Sequence, residues 1–395
     1  MTISADRLAL PGSSASGSTT GAMPSRVRPR MLPGVALLAI LLIGLASSLY
    51  TLAFKRGELP AGEVSWSDLA SGGATAGVSA LLQKANPLED PLVTVDRVVA
   101  WLTVGDLGAR VRRGCDNWLY LTDELTLYPD RTTNAATHVR MVEQVAAYLK
   151  SRNIALAVVP VPDKARVEAA DLCGVDRPAV FADRLTDFEK QLGAAGIDVI
   201  DVLRPINASG GERYYRTDTH WNERGAKAAA DAVAAALREA GVAPTQKAEF
   251  RVHTDPERER VGDLIRLAGL DRVPYPLRPG GDEEAPTVIE QSAAADVGLL
   301  DETPAPELAV VGTSFSWRAN FVPFLSLALG SPVDNRAEDG GGVANAARTY
   351  FASPEFAKSP PRTIVWEIPE RMIEEPASAA DLHWAETLAA VKSVK

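Results

Sequence analysis

Leu308-Ala309-Val310-Val311-Gly312-Thr313-Ser314-Phe315-Ser316 is the stretch on which the fold turns. An uninterrupted aliphatic run suits a strand buried on both faces, and the glycine after it ends the run in a tight turn. A serine on such a turn is where hydrolases and acyltransferases of several folds hold a nucleophile. Similar short apolar runs stand at residues 154–159, 197–202 and 363–368.

Between these runs the period changes from two to that of a helix. Residues 138–150 place Val139, Val142, Val145, Ala146 and Leu149 on one face, and residues 181–194 do the same with Leu185, Phe188 and Leu192. Asn222 is a good N-cap for a helix that Gly241 would end. Further helices are expected at 321–329, at 340–352 opening on Gly340-Gly341-Gly342, and at 378–391. Helices alternating with aliphatic strands predict an α/β fold, a mostly parallel sheet covered on both faces. Residues 242–305, rich in charge, Pro and Gly, interrupt the alternation and read as an irregular insertion.

The fold should begin near Pro91, with Val93, Val95, Val98, Val99 and Leu102 at helical spacing on one face. A turn at 114–117 then leads into a strand at 118–121. Earlier still, residues 31–54 carry no charged side chain. At 1.5 Å per residue that is enough to cross a bilayer core of about 30 Å. Arg26, Arg28 and Arg30 before the span, against Lys55 and Arg56 after it, favour a cytoplasmic N-terminus. The expected order is a disordered cytoplasmic tail at 1–30, a transmembrane anchor at 31–54, a linker at 55–90 and an extracytoplasmic domain at 91–395. A cleaved secretory signal is the alternative to the anchor.

Of the 395 residues 46% are hydrophobic, ample for a core, and the net charge of −10 argues against a nucleic-acid partner. Cys115 and Cys173 are the two cysteines. They fit a bridge in an oxidising compartment, or two buried thiols; their spacing makes no case for structural zinc.

Among four histidines, two stand in the same pattern: Asp218-Thr219-His220-Trp221 and Asp381-Leu382-His383-Trp384. The second falls in an expected helix, where residues two apart do not face each other, so Asp381 and His383 read as surface or packing residues. The first lies in a loop before the helix capped by Asn222, and a loop can turn i and i+2 toward one site. Asp218, His220 and Ser314 therefore form a candidate acyl-transfer triad. His220 would take the serine proton, Asp218 would fix the imidazole, and the Ser314 amide would hold the oxyanion, with the glycine run at 340–342 as a possible second donor. His138 and His253 have no partner pattern and read as solvent-exposed.

These segments together resemble the SGNH-hydrolase-like catalytic domain of the alginate O-acetylation proteins, the AlgJ and AlgX family. The residues that carry the likeness are Trp118-Leu119-Tyr120-Leu121, Val159-Pro160-Val161-Pro162-Asp163-Lys164-Ala165 and Tyr215-Arg216-Thr217-Asp218-Thr219-His220-Trp221. They continue with Val311-Gly312-Thr313-Ser314-Phe315-Ser316, Gly340-Gly341-Gly342 and Val365-Trp366-Glu367-Ile368-Pro369-Glu370-Arg371. The Asp-x-His precedes the serine, as in that family. Thr313 stands where the usual SGNH block has an aspartate.

The resemblance implies a flavodoxin-like three-layer sandwich and an O-acetyltransferase of an exopolysaccharide working through an acetyl-serine. It also implies the membrane-anchored AlgJ type without the C-terminal carbohydrate-binding module of AlgX. The catalytic domain would face the periplasm or exterior from the inner membrane. The acetyl donor would come from a membrane-bound O-acyltransferase partner, with no cofactor and no metal. Trp221 would offer a stacking face to a sugar, and Lys164 and Arg371 would contact sugar or carboxylate groups. A carbohydrate acetylesterase with the same triad, and a non-catalytic polysaccharide-binding scaffold, are the alternatives.

Overall fold

Every side chain from Thr363 to Pro369 is buried, and this strand is the centre of the domain. The computed structural model describes residues 31–54, 89–292 and 305–392, together with positions 75, 79 and 86. The expected tail at 1–30, most of the linker at 55–90, and residues 293–304 of the expected insertion lie outside the described residues.

Five strands form the central sheet: β1 (Ala155–Val161), β2 (Asp198–Val199), β3 (Leu308–Val311), β4 (Val333–Asn335) and β5 (Thr363–Pro369). Their order is β4-β3-β5-β1-β2, and every neighbouring pair is parallel. β5 pairs with β1 from Thr363↔Ala155 to Pro369↔Val161 and with β3 from Thr363↔Leu308 to Trp366↔Val311. The last strand in sequence thus enters the middle of the sheet. The turns after β1, β3 and β5 share one edge, and ligands of open α/β sheets bind beyond such carboxyl ends.

Side chains alternate across a strand, so each buried strand feeds two cores. Ala157, Val159, Leu308, Val310 and Val365 pack against the helices Glu223–Glu239 and Phe321–Leu329. Val158, Ala309, Val311, Ile364 and Trp366 pack on the other face against Arg131–Lys150, Arg184–Ala194 and Asn345–Phe351. This is the three-layer sandwich that the alternation of elements predicts.

Several expectations are corrected. β2 keeps only two residues of the expected strand at 197–202, because the Asp201 carboxylate accepts from the amides of Leu203 and Arg204 and turns the chain into the helix Leu203–Ala208. Gly340 and Gly342 have positive φ, so the helix expected from 340 starts only at Asn345. The helix Glu89–Val104 leaves Val93, Val95, Val99 and Leu102 exposed; only Val98 and Trp101 pack on a small core of Leu107, Leu119, Leu264 and Leu270.

Among its described residues the expected irregular insertion carries regular elements. Phe250–Thr254 pairs antiparallel with Thr287–Gln291, Arg258–Arg260 pairs antiparallel with Asp282–Glu284, and the helix Asp263–Leu267 stands between. Its strands are short and mostly exposed, so they carry no apolar alternation to betray them.

The helix Met31–Phe54 has 24 residues, long and apolar enough to cross a membrane. Cys115 and Cys173 are bridged, with Cα atoms 5.2 Å apart across 58 residues of sequence. Closing a loop of that length contributes roughly 4 kcal/mol in the chain-entropy model. Reduction, or replacement of both cysteines by serine, should lower the unfolding free energy by about that much in denaturant titrations.

Candidate active site

The loop Arg213–Thr219 connects no regular ladder, yet its amides are held by carboxylates. Glu168 accepts from the amides of Arg213 and Tyr214 at 2.7 and 3.2 Å. Asp282 accepts from those of Arg216 and Thr217 at 2.6 and 3.1 Å, and Asp263 from that of Thr219 at 2.7 Å. Tyr214 bridges back to Trp221, closing the loop on itself. In this hairpin-like turn Asp218 and His220 face the same way.

His220 Nδ1 lies 2.6 Å from Asp218 Oδ1, and its Nε2 lies 2.7 Å from Ser314 Oγ. Ser314 is half-buried, while Asp218 and His220 are buried. The second Asp218 oxygen accepts from the Arg260 guanidinium at 3.0 Å and from the Asp263 amide at 3.1 Å. Burial alone would raise this carboxyl, but its hydrogen bond to His220 and the charge of Arg260 hold it well below the ordinary carboxylate range. Asp263, by contrast, is pushed up by burial and by the Asp218 charge, and its Oδ2 is 3.5 Å from Nδ1. Two acids thus approach one imidazole, and only one of them makes a short hydrogen bond.

Asp218, His220 and Asp263 bring three potential metal-ligand atoms within 4.8 Å of one another. Both ring nitrogens of His220, however, are engaged by Asp218 and Ser314, and Arg260 already supplies the positive charge at Asp218. The set suits a proton relay, in which Nε2 accepts the serine proton and a fixed carboxylate stabilises the imidazolium.

The nucleophile turn is locked to β5. Buried Glu367 accepts from the Thr313 amide at 2.6 Å, from the Thr313 hydroxyl at 3.0 Å and from the Ser316 hydroxyl at 3.1 Å. Thr313 also caps the short helix Ser314–Trp317, so a threonine fills the aspartate position of the usual block by anchoring the turn. A Cβ at Gly312 would stand 2.6 Å from Glu367 Oε2, and one at Gly262 would stand 2.0 Å from the Thr217 carbonyl oxygen. Both turns can close only with glycine. The Ser314 amide, first in its helix, has no intrahelical acceptor and is a candidate oxyanion donor.

The three residues expected to touch substrate are placed differently. Trp221 is wholly buried, with its ring 5.2 Å from that of Phe315 and 5.0 Å from that of Phe321. It is core and offers no face to a sugar. Lys164 is also fully buried, and its ammonium donates to the carbonyls of Leu119, Arg216 and Asp218 at 2.5, 2.8 and 3.0 Å. All three donors are used on backbone carbonyls, two in the triad loop and one in the strand Leu119–Leu121, which leaves none for a ligand. Burial pushes this amine down to about 8.

Replacing Lys164 by methionine removes three hydrogen bonds to buried carbonyls, of which that of Arg216 keeps the Leu119 amide, so stability should fall by about 3–5 kcal/mol, read as a lower urea midpoint. Arg371 is nearly buried, stacks 5.3 Å above the Phe315 ring and keeps Nη1 without a partner among the described residues. It meets the site through the Phe315 ring.

The remaining histidines separate clearly. Asp381 and His383 lie in the helix Ala379–Lys392, with Asp381 buried and His383 exposed. His138, expected at the surface, is buried and bonded through Nδ1 to the Ile373 carbonyl at 2.9 Å; burial lowers its pKa. His253 is exposed. The glycine run at 340–342 lines a separate cavity of about 260 Å³ with His138, Arg348 and Asp381. Sequence reasoning missed Arg260, Asp263, Asp282 and Glu367. The first three sit in the polar insertion, where nothing local ties them to a site; the Trp366-Glu367-Ile368 run did show a lone acid inside a buried strand.

The family model described as "SGNH hydrolase-like domain, acetyltransferase AlgX" matches residues 111–370. Probable alginate O-acetylase AlgJ of Azotobacter vinelandii is 34% identical over 268 residues, 66% of this chain and 69% of that protein. AlgJ of Pseudomonas aeruginosa is 32% identical over 293 residues, 70% of this chain and 74% of that protein. The solved O-acetyltransferase domain of Pseudomonas putida AlgJ superposes with a TM-score of 0.63 at 27% identity, covering 71% of this chain and 99% of that domain. On these matches and on the fold, the chain belongs to the AlgX family of SGNH hydrolase-like acetyltransferase domains.

Proposed function

We propose that this protein transfers acetyl groups to hydroxyls of an alginate-like exopolysaccharide through an acetyl-serine at Ser314. The observation that carries the reading is the Asp218–His220–Ser314 chain of contacts at 2.6 and 2.7 Å, in a domain of this family. Ser314 Oγ attacks the acetyl carbonyl as its proton passes to His220 Nε2, and the donor's leaving group departs with that proton. A sugar hydroxyl then gives its proton to Nε2 and attacks the acetyl-serine. Collapse of the tetrahedral intermediate returns the proton to Ser314 Oγ and leaves the acetyl on the sugar. Asp218 and Arg260 keep the imidazole oriented through both halves.

The acetyl donor in this reading is a membrane-bound O-acyltransferase partner that presents the group from across the inner membrane. The span Met31–Phe54 supports a site tethered to that membrane, and the Cys115–Cys173 bridge supports an oxidising compartment such as the periplasm.

The test uses the full-length chain in detergent, an activated acetyl ester as donor and alginate oligosaccharides as acceptors. Acetylated oligosaccharide should accumulate. His220→Ala should lower the rate by at least about a thousandfold, while His383→Ala should leave it near wild type. Ester consumption without any acetylated sugar would identify an esterase instead.

A further inference from the structure

We propose that the indole of Trp317 is the platform on which one pyranose ring of the acceptor polysaccharide stacks. The assignment rests on the acetyl-transfer reading of the same site. Trp317 ends the one-turn helix that Ser314 begins, and residues three apart leave the same face of a helical turn. Of the tryptophans among the described residues it alone is more than half exposed, at 54%. Its open face stands one helical turn from the nucleophile, where an acceptor ring can pack against it.

The ring is held ready rather than left loose. Its Nε1–H donates to the Ala337 carbonyl at 2.6 Å, which fixes the plane of the indole. The segment 335–339 that receives it is stitched back to the nucleophile turn twice more. Asn335 Nδ2 donates to the Ser316 carbonyl at 3.1 Å, and the Glu338 amide donates to the Gly312 carbonyl at 3.1 Å. Platform and nucleophile therefore move as one piece, as a positioning subsite requires.

An open cleft of about 570 Å³ is lined by Trp317, Arg318, Ala337, Glu338 and Asp339. Arg318 and Asp339 form an ion pair of 3.1 Å at this cleft. An apolar aromatic face bordered by a guanidinium and two carboxylates matches the two-sided chemistry of a sugar. Carbon-bound hydrogens lie against the indole, and hydroxyl or carboxylate groups meet the charged rim. The stacking role that the resemblance implied for Trp221 thus passes to the exposed tryptophan that ends the nucleophile helix.

Binding is measured on the full-length chain in detergent carrying Ser314→Ala, titrated with an alginate oligosaccharide. Adding Trp317→Ala should weaken affinity about tenfold, and Trp317→Phe, which keeps a π-face, should recover most of it. In the catalytic background, Trp317→Ala should raise KM for the oligosaccharide more than it lowers kcat. Trp317→Met, which fills similar space without a ring, guards against a folding defect and should behave as alanine does. Equal affinity with and without an aromatic residue would overturn the assignment to Trp317 alone, as expected if the indole instead met a protein partner. No saturable binding to the Ser314→Ala protein would overturn the reading of this edge as an acceptor site.

Discussion

Ser314→Ala is expected to lower acetyl transfer by about ten-thousandfold or more, with the fold intact. The hydroxyl is the atom that His220 Nε2 approaches at 2.7 Å, and no other hydroxyl bonds that nitrogen among the described residues. Its loss removes the covalent route itself rather than tuning it, so whatever rate survives reflects binding and oxyanion stabilisation alone. The serine is half-buried and its turn is anchored through Thr313 and Ser316 to Glu367, contacts that alanine leaves untouched. A thermal melt near that of wild type, beside the lost rate, separates a chemical from a structural effect.

Asp218→Asn should be nearly as damaging, again about ten-thousandfold in kcat. An amide presented to Nδ1 can turn its NH₂ group there, which drives the imidazole proton to Nε2 and blocks acceptance of the serine proton. The substitution also withdraws the carboxylate from Arg260 and from the Asp263 amide. Asp263→Asn is the informative contrast. Its Oδ2 stands 3.5 Å from Nδ1, too far for a strong hydrogen bond, so the loss should be no more than about tenfold.

The pair also differs in pH behaviour. Because Asp218 is depressed in the folded state, its contribution to stability is present above the ordinary carboxylate range and is lost as pH falls below it. Asp218→Asn should remove that acid-sensitive part of the stability, seen as a flatter dependence of the denaturation midpoint on pH in the acid range.

The long buried strands were legible because burial on both faces forces continuous aliphatic runs. Residues 154–159, 308–311 and 363–368 correspond to β1, β3 and β5 with little change of limits. The edge strands were not. β2 is cut short by the Asp201 cap, and β4 has three residues and a half-buried pattern that no periodicity rule detects. The polar ribbons of the insertion were invisible for the same reason, although the insertion delivers Arg260 to Asp218 and Asp263 to His220 from some forty residues away in sequence.

The candidate triad residues were legible through their order and through the helix that disqualifies the second Asp-x-His. Side-chain orientation was not. Trp221, Lys164 and Trp317 are all large residues beside triad residues in sequence or space, and only packing decides which faces solvent. Lys164 in particular reads as a free cation in sequence, yet in the fold three backbone carbonyls consume it.

The central claim is an acetyl group carried on Ser314. It is tested most directly by exposing the full-length chain to an activated acetyl ester, quenching in acid and mapping peptides by mass spectrometry. The account predicts one added acetyl on the peptide containing Ser314, absent in Ser314→Ala and discharged when alginate oligosaccharide is supplied. Acetyl transfer that proceeds with Ser314 unmodified throughout, or an acetyl that resides on another side chain and is discharged to the sugar from there, would contradict it.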